Sequence, residues 1–369
     1  MAQSSCLHLF LCISIMLVFA LEKFSTASDT CLTPFGALRD TAPLSECKSM
    51  VDFLNEYGLK LTPVQRKFVE LSFMDLKKRI VCCDPSFDPV RAFKSVGTEI
   101  LRNQGEACGD NSRKRISFGS ESTFLSHPWS VLLIYKSENK FQCGGTLITK
   151  RYVLTAAHCI KTYLSGVRLG EHDIDLPIDC ELDELGEEHC LAPVLDVGIE
   201  KVIKQPKFSA ANFNNDIALL RLDTPIVFIN SIKPICIPEY QNQVVAKEHG
   251  IISGWGATEN ATFSHTHREA AIPIISRENC QSVYRRRSID NTKLCTRGIE
   301  GEDTCDGDSG GPLYVRVEGD EDGSGRKFRY MQVGVISLGY QHCGTKQNTP
   351  ALYTNIAAYF DWIAFNLEL

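Results

Sequence analysis

Three short fragments carry side chains that could do covalent chemistry together. They are residues 155–159 (TAAHC) with His158, residues 214–220 (NNDIALL) with Asp216, and residues 307–312 (GDSGGP) with Ser309. A serine hydroxyl is a weak nucleophile until a base takes its proton, and a histidine does this best when a buried carboxylate fixes its tautomer. The charge that develops on an attacked carbonyl needs backbone N–H donors, and glycines let the backbone approach. Ser309 stands among glycines, so the N–H groups of Gly307 and Ser309 are the candidate oxyanion donors. Singly, each fragment has a plain reading: a histidine beside a cysteine is usually structural, and Asn-Asn-Asp is usually a turn. All three together on one chain point to acyl transfer by an activated serine.

A second stretch invites chemistry done to the chain rather than by it. In residues 111–120 (NSRKRISFGS) the basic Arg113, Lys114 and Arg115 stand directly before Ile116. This is either a solvated basic patch or a target for a protease that cuts after basic residues.

The elements that must hold these residues change character along the chain. From Ile116 onward, short β-rich runs recur: WSVLLIYK, FQCGGTLI, YVLTAA, DIALLRL, GIISGWG and MQVGVISLG. Turn residues separate them and no βα alternation is present, which predicts an all-β barrel or sandwich. Only residues 354–369 read as a helix, with Ile356, Tyr359, Phe360, Ile363 and Leu367 on one stripe. The run 318–327 (EGDEDGSGRK) reads as a hairpin insertion. Residues 31–83 form a small module. Its Thr62 and Gln65 have capping-box form with Pro63 at the first helical position, and Phe68, Val69, Phe73 and Leu76 continue the helical spacing. An earlier helix takes in Met50, Val51 and Leu54. About 50 residues bury little core, so this module needs its cysteines. Residues 84–115, punctuated by Pro85, Pro89, Gly97 and Gly105, read as a linker.

Bulk composition sets the compartment. The 369 residues are 43% hydrophobic and 23% charged with a net charge of −6, which argues against wholesale nucleic-acid binding. Residues 7–21 form an apolar run followed by Ser25-Thr26-Ala27, so residues 1–27 read as a signal peptide. Its loss removes Cys6 and Cys12 from the 16 cysteines. The remaining even number, in an oxidising compartment, predicts seven disulfides and a secreted protein. No other run is long and apolar enough to span a membrane.

Residues 116–369 resemble a trypsin-like serine protease of the chymotrypsin fold, mainly β, with two β-barrels and an active site between them. The resemblance implies His158 as general base, Asp216 as its orienting carboxylate and Ser309 as nucleophile. It also implies the disulfides Cys143–Cys159, Cys280–Cys295 and Cys305–Cys343, and no catalytic cofactor. Asp303, six residues before Ser309, matches the floor of the primary pocket, whose wall would be Ser337, Leu338, Gly339 and the strand around Ala351. A buried carboxylate there calls for arginine or lysine on the acyl side of the cut bond. Leu338 stands where the family usually has tryptophan, and Ala351 where it usually has glycine. The extra methyl narrows the pocket and leaves arginine against lysine open. In this family a cut frees a new N-terminus whose ammonium pairs with the aspartate before the nucleophile, which implies cleavage after Arg115, release of Ile116 and a salt bridge to Asp308. Cys108 and Cys236 match the pair that keeps the N-terminal part tethered afterwards.

The N-terminal module resembles a clip domain, on VCCDP at its end, Cys31 followed by Pro34, and ECKSMVDFL around Cys47. The second and fourth of the family's six cysteines are missing, and those two are partners, so Cys31–Cys82 and Cys47–Cys83 are the implied pairs. Residues 171–188 contain nine acidic residues and no Lys or Arg. They are either a solvated loop or a calcium site. Related proteases bind calcium in this loop, which implies Glu171 and Asp179 as carboxylate ligands with the carbonyls of Asp173 and Leu176. Cys180 and Cys190 would close a small loop beside it. Asn260 heads the sole glycosylation sequon (NAT), and Arg285 and Arg287 form either a solvent face or a site for an acidic partner.

Together these features resemble the arthropod clip-domain serine proteases of the Easter and Grass kind. The expectation is a zymogen in haemolymph, acting in a cascade that leads to Toll signalling or melanisation. Its implied partners are an upstream activating protease, a downstream protease zymogen or cytokine precursor, and an inhibitory serpin. A non-catalytic adaptor is one alternative, although such relatives typically lose the nucleophile. A digestive trypsin is another, against which the clip-like module and the tethering cysteines argue.

Overall fold

The computed structural model describes residues 30–34, 38–58, 61–86, 88–103, 108–110, 120–121, 125–138, 140–182, 186–239, 249–257, 263–285, 287–298, 307–322, 325–338 and 350–368. The chain divides into two compact units between Pro89 and Val90.

In the smaller unit the strands β1 (Thr30–Leu32), β2 (Leu38–Pro43), β3 (Phe73–Asp75) and β4 (Ile80–Cys83) form an antiparallel sheet in the order β1-β2-β4-β3. Two helices, α1 (Lys48–Tyr57) and α2 (Pro63–Ser72), complete it. The Thr62 hydroxyl accepts from the Gln65 N–H, and the Gln65 side chain accepts from the Thr62 N–H at 2.9 Å. The capping box therefore starts α2 as the sequence predicts. The same helix ends earlier than the spacing predicts. Phe73 leaves it to pair with Val81 in β3, and Leu76 is 71% exposed. Pairing to β4 outweighs the local helical pattern there. A small core of Met50, Phe53, Leu61, Phe68 and Val81 is closed by the disulfides Cys31–Cys82 and Cys47–Cys83.

The larger unit begins one residue into α3 (Pro89–Arg102), a 14-residue helix within the stretch that reads as a linker. A short β5 (Ser120–Glu121) follows. Strands β6 (Ser130–Tyr135), β7 (Phe141–Leu147), β8 (Tyr152–Thr155) and β9 (Leu164–Leu169) lead to a small hairpin of β10 (Cys180–Leu182) and β11 (Glu188–Cys190), and then to β12 (Leu195–Lys204) and β13 (Ala218–Leu222). Without the hairpin, these strands close a barrel in the order β12-β13-β8-β7-β6-β9. Its strands bury Val131, Leu133, Leu147, Val153, Leu154, Val167, Leu169 and Leu219 in the hydrophobic core.

The second barrel is built from β14 (His249–Gly254), β15 (Arg268–Ile275), β16 (Lys293–Thr296), β17 (Pro312–Asp322), β18 (Gly325–Leu338) and β19 (Ala351–Asn355). Its order is β14-β17-β18-β19-β16-β15, closed by β14 against β15, with β5 on the edge of β15. The acidic hairpin insertion is the β17–β18 turn. Helix α4 (Arg277–Val283) precedes β16. The C-terminal stripe forms a 3-10 turn at Ile356–Tyr359 and then α5 (Phe360–Asn366), with Ile356, Tyr359, Phe360, Ile363 and Leu367 buried. The fold is mainly β and contains two six-stranded barrels.

Candidate active site

Strand register brings the histidine and aspartate fragments together. Thr155 of β8 pairs with Ala218 of β13, and each strand carries its functional residue just beyond that pair. His158 sits in a 3-10 turn, Ala157–Cys159, which the Cys143–Cys159 disulfide ties to β7. Asp216 lies two residues before β13 and is fully buried. Such a carboxylate needs donors. The His158 backbone N–H donates to its Oδ1 at 2.9 Å, and His158 Nδ1 stands 2.7 Å from its Oδ2. Ser337 donates its hydroxyl to the same Oδ2 at 2.6 Å, and Thr354 Oγ1 donates to the Asp216 carbonyl at 2.7 Å. The carboxylate facing Nδ1 holds the proton on that nitrogen and leaves the Nε2 lone pair free to accept one.

The serine fragment approaches from the second barrel, just before β17. The Gly144 N–H of β7 donates to the Ser309 carbonyl at 2.8 Å, and that oxygen lies 3.5 Å from Cys159 Sγ. Cys159 Sγ is in turn 3.7 Å from His158 Nε2, so the Ser309 segment abuts the histidine turn. Gly307 has φ +100°, a left-handed backbone that side chains resist, in the loop that presents the candidate oxyanion donors. Asp308 accepts from the Gly256 N–H at 2.8 Å. A hydroxyl, a base fixed in one tautomer and a glycine-shaped N–H loop can together carry out acyl transfer to water.

Of the residues that the resemblance assigns to a pocket, Ser337 and Ala351 are buried, and Leu338 stands beside Leu352 in the β18–β19 pairing. The sequence places Ser337 in the pocket wall; the structure adds its hydrogen bond to Asp216. Asp303, Gly339, Arg115, Ile116, Asn260, Cys305, Cys343 and the signal peptide lie outside the described residues. Cys108–Cys236, Cys180–Cys190 and Cys280–Cys295 are joined.

Two further residues border the site, Phe213 with no signal in the sequence and Arg287 with a different reading there. Phe213 adopts φ +55° and sets its ring 5.4 Å from the His158 ring, close to edge-on. Arg287, in the basic run, donates to the Asn212 carbonyl at 3.1 Å and lies 6.0 Å from the Phe213 ring. It is a brace for that loop, whereas Arg285 is exposed.

The acidic loop folds around two buried carboxylates, Glu171 at 9% and Asp179 at 3% exposure. Both accept from the His172 backbone N–H, Glu171 Oε1 at 3.0 Å and Asp179 Oδ2 at 3.2 Å, so they converge. Burial pushes both carboxyl pKa values up, and Asp179 adds to the rise at Glu171 by repulsion. Arg168 offsets part of this by donating to Glu171 Oε2 at 3.1 Å. The pair has the chemistry of a hard divalent-cation site. The Asp173 carbonyl accepts from the Leu176 N–H in a turn at the loop's tip, where Leu176 is half-exposed.

Comparison with known proteins decides the family. A trypsin family model matches residues 116–363. Serine protease grass of Drosophila melanogaster is 33% identical over 91% of this chain and 90% of its own length. Phenoloxidase-activating factor 3 of Holotrichia diomphalia is 32% identical over 95% and 97%. The crystal structure of the Drosophila Grass clip serine protease of the Toll pathway superposes with a TM-score of 0.66 at 32% identity, over 91% of this chain and 96% of that one. The chain belongs to the clip-domain serine proteases of the trypsin family. It is a serine endopeptidase, and the His158–Asp216–Ser309 constellation is the protease's candidate reaction centre. Among the described residues, no helix of the protease is long and apolar enough to cross a membrane.

Proposed function

We propose that this protease is a secreted zymogen, activated by cleavage after Arg115, that cuts after arginine or lysine in an extracellular proteolytic cascade of innate immunity. Ser309 Oγ attacks the acyl carbon and passes its proton to His158 Nε2, which then gives it to the leaving amine. Asp216 holds the ring and stabilises the imidazolium, and the Gly307 and Ser309 N–H groups face the oxyanion. The observation that carries the reading is the closed His158–Asp216–Ser337 hydrogen-bonded set beside the Ser309 loop. Asp303 at the pocket floor supplies the basic preference, with Ser337, Gly339 and Ala351 as walls. The freed Ile116 ammonium pairs with Asp308, a latch that an uncleaved chain cannot close.

The names of the relatives support the cascade: one is a phenoloxidase-activating factor and another is a clip serine protease of the Toll pathway. The partners are therefore an upstream protease, a downstream zymogen or cytokine precursor, and a serpin. Residues 1–27 are the signal peptide, residues 31–83 the clip domain, and Asn260 a glycan site in haemolymph. When bound, calcium would be held by Glu171 and Asp179 with the Asp173 and Leu176 carbonyls, and would add positive charge to that of Arg168 beside the buried pair.

The test is to cut the secreted zymogen at Arg115 and sequence the new terminus. Arginyl, lysyl and aromatic amide substrates are then compared, with Ser309→Ala and Asp303→Ser alongside. Arginyl or lysyl turnover is expected with the Ile116 terminus, absent in Ser309→Ala and down by at least 100-fold in Asp303→Ser. A correctly cut, folded and silent product overturns the reading in favour of the adaptor. Calcium at 100 times its Kd should stabilise the wild type by about 2.7 kcal/mol and leave Glu171→Gln unmoved. An identical wild-type Tm in calcium and in chelator removes calcium from the proposal.

A further inference from the structure

The loop from Gln205 to Asn215 leads into Asp216 and belongs to the first barrel, yet several of its polar anchors come from the second. Tyr359 donates its hydroxyl to Asn215 Oδ1 at 2.9 Å, Arg287 donates to the Asn212 carbonyl, and Lys293 donates to the Phe213 carbonyl at 2.9 Å. Both Phe213 and Asn215 have φ +55°. Asparagine tolerates this backbone, but an aromatic residue adopts it only where its surroundings impose it.

Lys293 stands out among these anchors. It opens β16, opposite Thr354 of β19, and is only 4% exposed. Lysine is almost never buried at that level unless something requires it. Thr354, its strand partner, is the residue that donates to the Asp216 carbonyl. The charged groups that act on Lys293 are Asp216 from the lead into β13, and Asp290 and Arg287 from the loop before β16; Tyr359, from the turn after β19, is influenced by the same Asp216 and Asp290. Burial pulls the ammonium's pKa down, Asp216 and Asp290 pull it back up, and Arg287 opposes them.

We propose that Lys293 is a positioning residue of the reaction centre: its buried ammonium pins the Phe213 carbonyl, which keeps the Phe213 ring edge-on to His158, and it sets a fixed positive charge in the neighbourhood of Asp216. The inference rests on His158 and Asp216 being the base and its carboxylate. A cation here works against a second positive charge on the imidazole. The anchoring role and the charge role are separable by substitution.

The test uses the full-length protein, activated and active-site titrated, with Lys293→Met, Lys293→Gln and Lys293→Arg. Methionine removes both donor and charge, glutamine keeps a donor for the Phe213 carbonyl, and arginine keeps both. In Met and Gln variants the acidic limb of the kcat/KM profile is expected to move up by about 0.5 to 1 pH unit, and in the Arg variant to stay. At the plateau, Met should lose about 10-fold in kcat with little change in KM, whereas Gln should stay within about threefold of wild type. The Gln variant keeps the test alive should the Met variant fold poorly. An acidic limb that coincides with wild type in both neutral variants overturns the proposal, even if kcat falls, because a purely structural lysine would do that much. The burst from wild type alongside reports separately on the triad assignment.

Discussion

Asp216 is a buried carboxylate whose hydrogen bonds come from three directions: the His158 backbone, the His158 ring and the Ser337 hydroxyl. Each donor satisfies a buried oxygen in a place where solvent cannot. Removing Ser337 Oγ leaves the carboxylate one donor short and free to turn away from Nδ1. A hydrogen bond to a charged group contributes about 1.5–3 kcal/mol. Ser337→Ala is therefore expected to lower kcat by about 10-fold or more with KM nearly unchanged, because the pocket wall keeps its backbone. A raised KM at constant kcat would reduce Ser337 to the wall residue that the sequence suggests. His158, Asp216 and Ser309 were legible because each sits in a distinctive local fragment. Ser337 was legible only as a neighbour in an aligned run, since its partner lies 121 residues away. Phe213 and Lys293 left no trace at all: a left-handed φ and a contact spanning 80 residues are products of the fold.

Among the elements, α3 separates what local signals convey from what packing decides. Its Pro89 and Gly97 read as chain breaks, so residues 84–115 read as a linker. In the folded chain Pro89 occupies the first helical position, where its missing N–H costs nothing. Phe93 stacks edge-on against Phe365, 6.2 Å between centroids, and Lys94 reaches Asp361 at 2.6 Å. Gly97 lies where the helix meets the C-terminal segment, and a Cβ there would come within 1.7 Å of the Ala364 carbonyl oxygen. In an exposed helix Gly→Ala stabilises by about 1 kcal/mol. Here the contact is with backbone, which cannot swing aside, so Gly97→Ala is expected to destabilise by about 1–3 kcal/mol. The two effects have opposite signs, which makes thermal unfolding decisive. A higher Tm in Gly97→Ala would mean that α3 does not dock there. The strands were easier to read, because their runs are short, apolar and bounded by turn residues, as in β8 and β13, which are buried along their whole length.

For the whole molecule, the cysteine pattern conveyed the six disulfides joined among the described residues, while the division at Pro89 required packing that no local pattern encodes. All three tryptophans, Trp129, Trp255 and Trp362, lie in the larger unit, so their fluorescence reports its unfolding alone. That unit contains a histidine whose ionisation should set its acid stability. His267 is 2% exposed, its ring lies 4.3 Å from the Trp255 ring and 4.8 Å from the His127 ring, and its Nε2 is 3.1 Å from Ser130 Oγ. Burial first, and then the charges of His127 and His172, hold its pKa well below the ordinary 6.5. The folded state therefore keeps this ring neutral where the unfolded chain takes a proton. Its contribution is fully present above pH 6.5 and is lost as pH falls below that value, by about 1.4 kcal/mol per pH unit. His267→Gln loses the contact with Trp255 and should be less stable at pH 7.5. Between pH 6.5 and 5, however, its stability should fall less steeply by about one proton's worth. Urea unfolding followed by tryptophan fluorescence at pH 7.5, 6.5, 5.5 and 5 measures both effects. Parallel curves for the two proteins would mean that His267 takes up its proton without unfolding, and the acid sensitivity of the protease unit would then lie elsewhere.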